Sequence, residues 1–198
     1  MMLSEVTPVP QTALPVVEFK DHLRLGTGFA DDGAQDALVA GYLRSAIAAV
    51  EGRIGKALIV REFLLELDRW RWPDEQAFPL APVRAVVSVT VKDRDGAADR
   101  IDPARYRLVP DMQRPKIAAM GALLPGVPVG GTVEVVFSAG FGPTWADIPV
   151  DLAQAVFLLA AQYHESRCEQ GVGQAMPFGV MALIERWRTV RVLGGGAA

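Results

Sequence analysis

A helical repeat of apolar residues between positions 32 and 54 is the strongest pattern in the first third of the chain. The apolar side chains recur every three or four residues, which is typical of a helix with one buried face. Asp32 and Gln35 resemble a capping box at its start, and Gly55 fits a C-terminal cap. A shorter helix is predicted just before it, over residues 16–25. The apolar positions of the long helix are Val39, Leu43, Ala46, Ile47, Val50 and Ile54.

Between residues 58 and 142 the apolar pattern changes from a helical period to that of strands. Alternate positions from 83 to 91 are apolar, which predicts a strand with one buried face. Asp95-Gly96 is a tight-turn signal after it. Further strands are predicted over residues 58–67, 106–109, 116–120 and 132–138. Frequent prolines divide this region into short pieces, so we expect a small antiparallel sheet or barrel. The alternating residues are Val83, Ala85, Val87, Val89 and Val91.

The helical period returns at Pro149, a residue favoured at the first position of a helix. Leu152, Val156 and Leu159 lie on one stripe of this helix. Phe157 and Leu158 add apolar surface on the opposite side. A helix that is apolar nearly all round is buried on more than one face, and a subunit interface is one natural place to bury it.

These patterns together predict an α+β fold. It consists of a helical core, built from the N- and C-terminal helices, with an inserted small antiparallel β region. A second C-terminal helix is predicted over residues 178–188. In this division residues 1–14 are a flexible N-terminal arm, 15–57 and 143–188 the helical core, 58–142 the β-rich insertion, and 189–198 an extended C-terminal tail.

Composition excludes several classes of protein. Of the 198 residues, 51% are hydrophobic and 22% charged, which fits a folded domain and not a disordered chain. The net charge of −3 gives no basic signature for wrapping nucleic acid. The single cysteine forms no intrachain disulfide. The N-terminus does not resemble a signal peptide, and the longest apolar run, 155–161, is too short to span a bilayer.

Candidate catalytic residues in the sequence have no partners. His164 and Cys168 are four residues apart and could share a helix face, but a nucleophile pair needs an orienting group and an oxyanion site as well. The two G-x-G fragments, 26–28 and 171–173, lack the third glycine and the strand–turn–helix setting of a phosphate loop. We therefore expect no enzyme activity, no metal and no cofactor, with a hydrolase centred on these two residues as the weakest hypothesis.

Two stretches combine aromatic and basic residues. Trp70-Arg71-Trp72 is equally consistent with an interface and with covering a sheet edge. The stretch 186–191 is locally basic with interleaved apolar residues, which suits a docking peptide for a protein partner at least as well as nucleic acid. A DNA-binding or packaging accessory module remains an alternative, against which the net charge of −3 speaks.

Several segments follow one another over residues 16–193 in an informative order. In chain order they are EFKDHLRL (18–25), AAVEGRIGKALIVREFLLELDRW (48–70), LAPVRAVVSVTVKDRDG (80–96), IDPARYRLV (101–109), VEVVFSAGFG (133–142), IPVDLAQAVFLLAAQYHESR (148–167) and PFGVMALIERWR (177–188). Taken together, their order and spacing resemble the head–tail connector (adaptor) family of long-tailed phages and phage-derived gene transfer agents.

The resemblance implies a structural virion protein with no catalytic residues. Its copies, typically twelve, would form a ring that joins the portal protein of the head to a tail-side stopper or terminator protein. DNA would pass through the ring only as cargo, and no membrane would be involved. Such rings are assembled in the host cytoplasm and lie at the head–tail junction. Whether the particle is a phage or a gene transfer agent stays open.

Two sets of residues carry these expectations. The helices of the family form the ring body, so the doubly apolar helix is the expected ring interface. The C-terminal segment of the family reaches toward the portal. The ring-interface residues are Leu152, Val156, Phe157, Leu158 and Leu159, and the portal-docking residues are Arg186, Trp187, Arg188, Val190, Arg191, Val192 and Leu193.

Overall fold

Four helices and eight strands make up the part of the chain that the structure, a computed structural model, describes: residues 1–23, 33, 35–121, 123–166 and 176–188. No helix in these ranges is both long and apolar enough to cross a membrane. The helices are α1 (Val16–His22), α2 (Asp36–Ile54), α3 (Val150–Glu165) and α4 (Phe178–Ile184). The strands are β1 (Met2–Glu5), β2 (Arg61–Leu67), β3 (Glu75–Ala77), β4 (Val83–Lys92), β5 (Ala98–Arg100), β6 (Tyr106–Val109), β7 (Lys116–Ala119) and β8 (Thr132–Ala139).

The helices pack around one apolar core, with α2 against α3 and α3 against α4. The stripe predicted for α2 is buried: Val39, Leu43 and Val50 are among its fully enclosed residues. Gly55 ends the helix in the left-handed conformation, with φ 68°, and its N–H bonds to the carbonyl of Glu51, as a glycine C-cap does. The described part of α2 begins at Asp36, and the predicted cap residue Asp32 lies outside the described residues.

A five-stranded antiparallel sheet with the order β1-β2-β8-β4-β5 forms the larger β layer. Along β2 and β8 alternate side chains are buried, as expected for a sheet with one covered face. At the end of β8, Gly140 has a φ of 139° and lies so close to Val60 that a Cβ would be 2.5 Å from the Val60 nitrogen. This close approach packs the end of β8 against Ile59 and Val60, the residues that lead from the helical core into β2.

The strand β4 departs from the simple alternation that the sequence predicts. Its register against β8 shifts between Val83 and Ala85 and again between Val86 and Ser88. Each bulge adds a residue and reverses the face that the following side chains occupy. As a result Ala85 and Val87 are exposed, and the buried or half-buried apolar positions are Val83, Val86, Val89 and Val91.

A smaller antiparallel sheet, with the order β3-β7-β6, covers the inner face of the larger one. The two sheets share a second apolar core, separate from the helical one. At its centre the fully buried ring of Phe137 lies 5.7 Å from Phe63 and 4.6 Å from Phe78, measured between ring centroids. Ile117 of β7 is also fully buried in this core.

The predicted architecture, a helical core with a small inserted β region, was wrong. The chain is α+β, but its described residues form eight strands in two antiparallel sheets beside the four helices, and the sheets have a core of their own. The β layer also includes β1, which precedes every helix and pairs with β2, so it is not a single insertion. Residues 1–14 are predicted as a flexible arm, whereas the structure pairs Met2–Glu5 in the sheet and buries Val9, Ala13 and Leu14 in the helical core.

Candidate assembly surfaces

Both histidines of the sequence pack against aromatic rings. The ring centroid of His22 lies 6.1 Å from that of Phe19 and 5.4 Å from that of Phe157. His164 meets Tyr42 edge-on at 5.8 Å. Its candidate partner Cys168 and both G-x-G fragments lie outside the described residues. Among the described residues no group of three or more His, Cys, Asp or Glu side chains is placed to hold a metal ion.

Three of the five predicted ring-interface residues belong to the core of the subunit itself. Leu152, Val156 and Leu159 are at most 2% exposed and pack among α2 and α4. A side chain that is enclosed within its own subunit offers no surface to a neighbour, so these three hold α3 against the core, and their place in a ring interface stays a prediction. The sequence could not distinguish the stripe that faces its own chain from the stripe that faces outward, because both are apolar.

Phe157 and Leu158 lie toward the surface of α3. Phe157 is half-buried in an aromatic cluster, with centroids 5.3 Å from both Phe19 and Trp145. This cluster holds α1 and the turn before α3 against the helical core. Leu158 is 36% exposed and makes its surface available for contact with another protein. Of the predicted set it is the residue best placed for an interface.

Two further apolar residues, which the sequence did not single out, are far more exposed. Val150 at the start of α3 is 85% exposed and Phe178 at the start of α4 is 86% exposed. Val150, Gln154 and Leu158 are spaced four residues apart and form one solvent-facing ridge along α3. An aromatic side chain left this exposed is a typical interface feature. The only sequence signal was position: each lies next to a helix-opening proline, outside the buried stripe.

The C-terminal end of the described chain is fastened to α3 by one carboxylate. Asp151 accepts a hydrogen bond from the indole Nε1 of Trp187 at 2.7 Å, and the Nε of Arg186 lies 2.8 Å from the same Oδ2 atom. The Trp187 ring also meets Phe141 edge-on at 5.4 Å. The first residues of the segment predicted for docking are therefore held against α3. Arg186 and Arg188 are exposed there, and the remaining predicted residues, Val190, Arg191, Val192 and Leu193, lie outside the described residues.

The two tryptophans of Trp70-Arg71-Trp72 have different surroundings. Trp70 fits the interpretation as cover for the sheet, and Trp72 fits the interpretation as an interface residue. Trp70 is half-buried against the β core and donates from Nε1 to the carbonyl of Pro125 at 2.6 Å, so it covers the sheet. Trp72 is 59% exposed. The backbone N–H of Leu124 donates to the carbonyl of Pro73, the residue after Trp72. The segment beside Trp72 therefore includes the exposed residues Met120 and Leu123. This end of the β layer thus carries a second apolar surface.

A buried ion pair joins the helical core to the large sheet. Arg61 of β2 donates from Nη2 to the Oε2 of Glu51 on α2 at 2.7 Å, and its Nε donates to Glu5 of β1 at 2.8 Å. Burial alone would lower the pKa of Arg61, but the hydrogen bonds and charges of Glu51 and Glu5 hold it above its ordinary value. The guanidinium therefore stays charged and fixes the orientation of the two cores. Rigid placement of the helices and the sheet also fixes the surfaces that each presents.

A buried lysine holds the β6–β7 turn against the end of α2. Lys56 is fully buried, and its Nζ donates to the carbonyl of Met112 and to Oε1 of Gln113, the latter at 3.0 Å. Burial lowers the pKa of Lys56, and the charge of Asp111 opposes this in part. The contact connects the smaller sheet to the helical end of the molecule.

Comparison with known proteins places the chain among solved neck structures. It is 64% identical to a chain in the neck of an empty gene transfer agent particle computed with C6 symmetry, covering 98% of this chain and 99% of that one with a TM-score of 0.89. A chain of the virion of a native gene transfer agent particle matches at 64% identity, with the same coverage and a TM-score of 0.86. A chain of the neck of the native particle, computed with C12 symmetry, matches at 58% identity, again over 98% and 99%, with a TM-score of 0.84.

No family model and no curated protein matches the chain. The structural matches nevertheless extend over nearly the whole of both chains at an identity far above that needed to infer common descent. They confirm the resemblance found in the sequence. The chain belongs to the head–tail connector family of phages and gene transfer agents.

Proposed function

We propose that this chain is a structural subunit of the neck of a gene transfer agent or related phage-derived particle, where its copies form a ring at the head–tail junction. The observation that carries this proposal is the near full-length match, at 64% identity and a TM-score of 0.89, to a chain of such a neck. Since the match covers 98% of this chain and 99% of the other, the whole fold is shared and not one domain of it. The role needs surfaces and rigidity, and it requires no catalytic step.

The neighbours of the ring follow from its place in the particle. On the head side we propose the portal protein, and on the tail side a stopper or terminator protein. Twelve copies of the chain are the number that the C12 symmetry of the similar neck supports. DNA would pass through the ring without being read. The net charge of −3 fits this role, because a basic surface would bind the moving duplex.

The helical surface is the proposed contact between subunits. Its support is the exposure of Val150 and Leu158 on one ridge of α3 and of Phe178 at the start of α4, because an aromatic side chain that is 86% exposed is typical of an interface. Leu152, Val156 and Leu159 support the ridge from beneath by packing α3 against its own core. The interface proposed here is therefore the outward side of the same helix.

The segment that begins at Arg186 is the proposed portal contact. Its support is the anchoring of Trp187 and Arg186 on Asp151, which holds the first residues of the segment against α3. From that point the sequence continues through Val190, Arg191, Val192 and Leu193, an alternation suited to packing in a groove or beside a strand of a partner.

The proposal is tested by removing the gene for this chain from cells that make the particles. We expect filled or empty heads and separate tails that no longer join, with joining restored by the wild-type gene. The matched control restores the gene with Val87→Ser, a change at an exposed position of β4 away from the proposed contacts. Joined, transfer-competent particles made without the chain would overturn the proposal.

A further inference from the structure

Three large apolar side chains are exposed beside the smaller sheet. Trp72, just before β3, is 59% exposed, and Met120 and Leu123, just after β7, are 58% and 61% exposed. The two segments that carry them are joined by the backbone, because the N–H of Ala119 donates to the carbonyl of Asp74 at 2.8 Å. We call Trp72, Met120 and Leu123 the far-end surface.

The far-end surface and the proposed portal contact lie toward opposite ends of the large sheet. β8 leads from Val133 to Phe141, whose ring meets Trp187 of the proposed portal contact. The other end of β8, at Val133, is opposite Leu67, the last residue of β2, from which the chain continues toward the far-end surface. A stretch of extended chain from 133 to 141 spans about 25 Å.

The smaller sheet has the same orientation. Its β6–β7 turn contacts Lys56, at the end of α2, through Met112 and Gln113. From that turn β7 leads away to Met120. The far-end surface therefore lies at the end of both sheets that is remote from the helical core.

The residues at this end are those that are enriched in the centres of protein interfaces, namely tryptophan, methionine and arginine. Arg71 precedes Trp72, and the carbonyl of Arg105 accepts the N–H of Met120 at 2.9 Å. Both arginines are exposed, and neither forms an ion pair within the part of the chain that the structure describes. Asp74 in the same segment offsets one of the two charges. A partner that fits this end presents an apolar recess for the indole with carboxylates at its rim.

The backbone that carries Trp72 is held in place by its own subunit. The indole of Trp70 donates to the carbonyl of Pro125 at 2.6 Å, and the backbone N–H of Arg71 donates to Oε1 of Gln76 at 2.9 Å. Gln76 is itself buried. Because these bonds fix the segment in the free subunit, little conformational freedom is lost when a partner docks on it.

We infer that the far-end surface is where the tail-side stopper or terminator protein docks on the ring. This inference rests on the proposed function, which puts the portal at the Trp187 end of the subunit and the contact between copies on α3. A ring that joins two other proteins needs a contact at each of its two ends, and the far-end surface supplies the second one. The exposed Arg71 and Arg105 favour a tail-side face that is acidic around its apolar recess.

The contact is tested in particles by photocrosslinking. Cells make particles from a chain with Trp72→p-benzoylphenylalanine, which keeps an aromatic ring at this position. The particles are irradiated, and adducts of the chain are separated on denaturing gels and identified by mass spectrometry. We expect an adduct with the stopper or terminator protein. The matched control, Val87→p-benzoylphenylalanine at an exposed position of β4, should give no adduct with that protein.

A second measurement follows the joining of heads to tails. We expect Trp72→Ser to leave the ring on the heads but to lower the fraction of joined particles about tenfold or more, because loss of a central interface tryptophan typically costs at least that factor in affinity. Trp72→Phe should retain most joining, and Val87→Ser all of it. Urea unfolding of each purified subunit checks that it is folded.

The outcomes separate this contact from the ring itself. An adduct with the portal, with a head protein or with a second copy of the chain would overturn the inference and leave the proposed function intact. So would the absence of any adduct from particles that contain the variant, or normal joining by Trp72→Ser. Absence of the wild-type chain from the necks of joined particles would instead overturn the proposed function.

Discussion

Arg61 and Glu51 form a bidentate ion pair between the large sheet and α2, the longest helix. The Nη1 and Nη2 atoms of Arg61 donate to the two carboxylate oxygens of Glu51 at 3.0 and 2.7 Å, and both side chains are less than a tenth exposed. The same Glu51 oxygen that meets Nη1 also accepts the backbone N–H of Leu58 at 2.6 Å. The pair therefore lies where the chain passes from the helical core into the sheet.

Replacing one partner of this pair should be costly for folding. We expect Arg61→Met to lower the free energy of unfolding by about 3–5 kcal/mol, because it leaves the Glu51 carboxylate buried without its countercharge. The double variant Arg61→Met with Glu51→Leu should lose less than the sum of the single variants. Urea unfolding of the purified subunit measures both. As a control, Glu185→Gln breaks the exposed pair with Arg188 and should cost only about 0–1 kcal/mol; equal losses for the two sites would contradict the account.

Stability should depend on alkaline pH through Lys56. Burial lowers the pKa of Lys56 below its ordinary value of 10.5, so the folded state binds this proton less tightly than the unfolded state does. Between the folded and unfolded pKa values the unfolded chain carries more protons, and the Lys56 contribution to stability therefore rises with pH in that window. Below it, the penalty for the buried charge is fully present.

The measurement compares wild type with Lys56→Met across this range. We expect the free energy of unfolding of the wild type, minus that of the variant, to increase as pH is raised from neutral toward 10.5. The raised pKa values of Tyr106 and Tyr163 make the free energy of unfolding fall as pH rises, which opposes the effect of Lys56. Both proteins contain the two tyrosines, so their contributions cancel in the difference. A difference that stays flat or falls as pH rises would contradict the lowered pKa of Lys56.

Asp151 should control the position of the C-terminal segment. We expect Asp151→Ala to cost about 1–3 kcal/mol, since the Trp187 indole and the Arg186 guanidinium lose their shared acceptor. Amide hydrogen exchange over residues 178–188 should become faster, and binding to the portal should weaken. Glu185→Ala, which removes an exposed carboxylate from the same segment, is the matched control. Unchanged exchange in Asp151→Ala would show that the carboxylate does not hold the segment.

The outward ridge of α3 should matter more for assembly than for folding. Val150 is 85% exposed, so we expect Val150→Asp to stay within about 0.5 kcal/mol of wild type in the free energy of unfolding. Leu158 is 36% exposed, so we expect Leu158→Asp to lose about 1–2 kcal/mol, and both variants should give a large loss of joined particles. Leu152→Ala, at a fully buried position of the same helix, should instead cost about 2–5 kcal/mol in folding. Normal assembly by both ridge variants would place the subunit contact elsewhere.

The sequence predicted the individual elements better than their arrangement. The strand over 106–109 and the start of the helix after Pro149 match the structure, and Gly55 caps α2 as expected. These depend on local signals: strand-favouring residues such as Tyr106 and Val109, a proline and a glycine. β1 was missed because four residues before a proline-rich stretch give no periodic signal, and its pairing with β2 is non-local. The sequence prediction also underestimated the size of the β region, because the pairing of strands into two sheets is non-local.

Surface and core could not be separated from the pattern alone. On α3 the buried Leu152 and the exposed Val150 are equally apolar, and only the packing of α2 and α4 decides which one is enclosed. On β4 two bulges move Val87 to the outside, although strict alternation with Val89 predicts the same face for both. The anchoring of Trp187 by Asp151 joins residues 36 positions apart, a relationship that no local pattern contains.

The most direct test of the account is an image of the neck itself. Particles would be prepared from cells in which this chain has a small C-terminal tag, labelled with gold-conjugated antibody and imaged by electron cryomicroscopy with symmetry analysis of the neck. The account predicts label only at the head–tail junction and a ring there, with twelvefold symmetry, into which this fold fits. Label elsewhere on the particle, or a junction ring into which the fold does not fit, would contradict it.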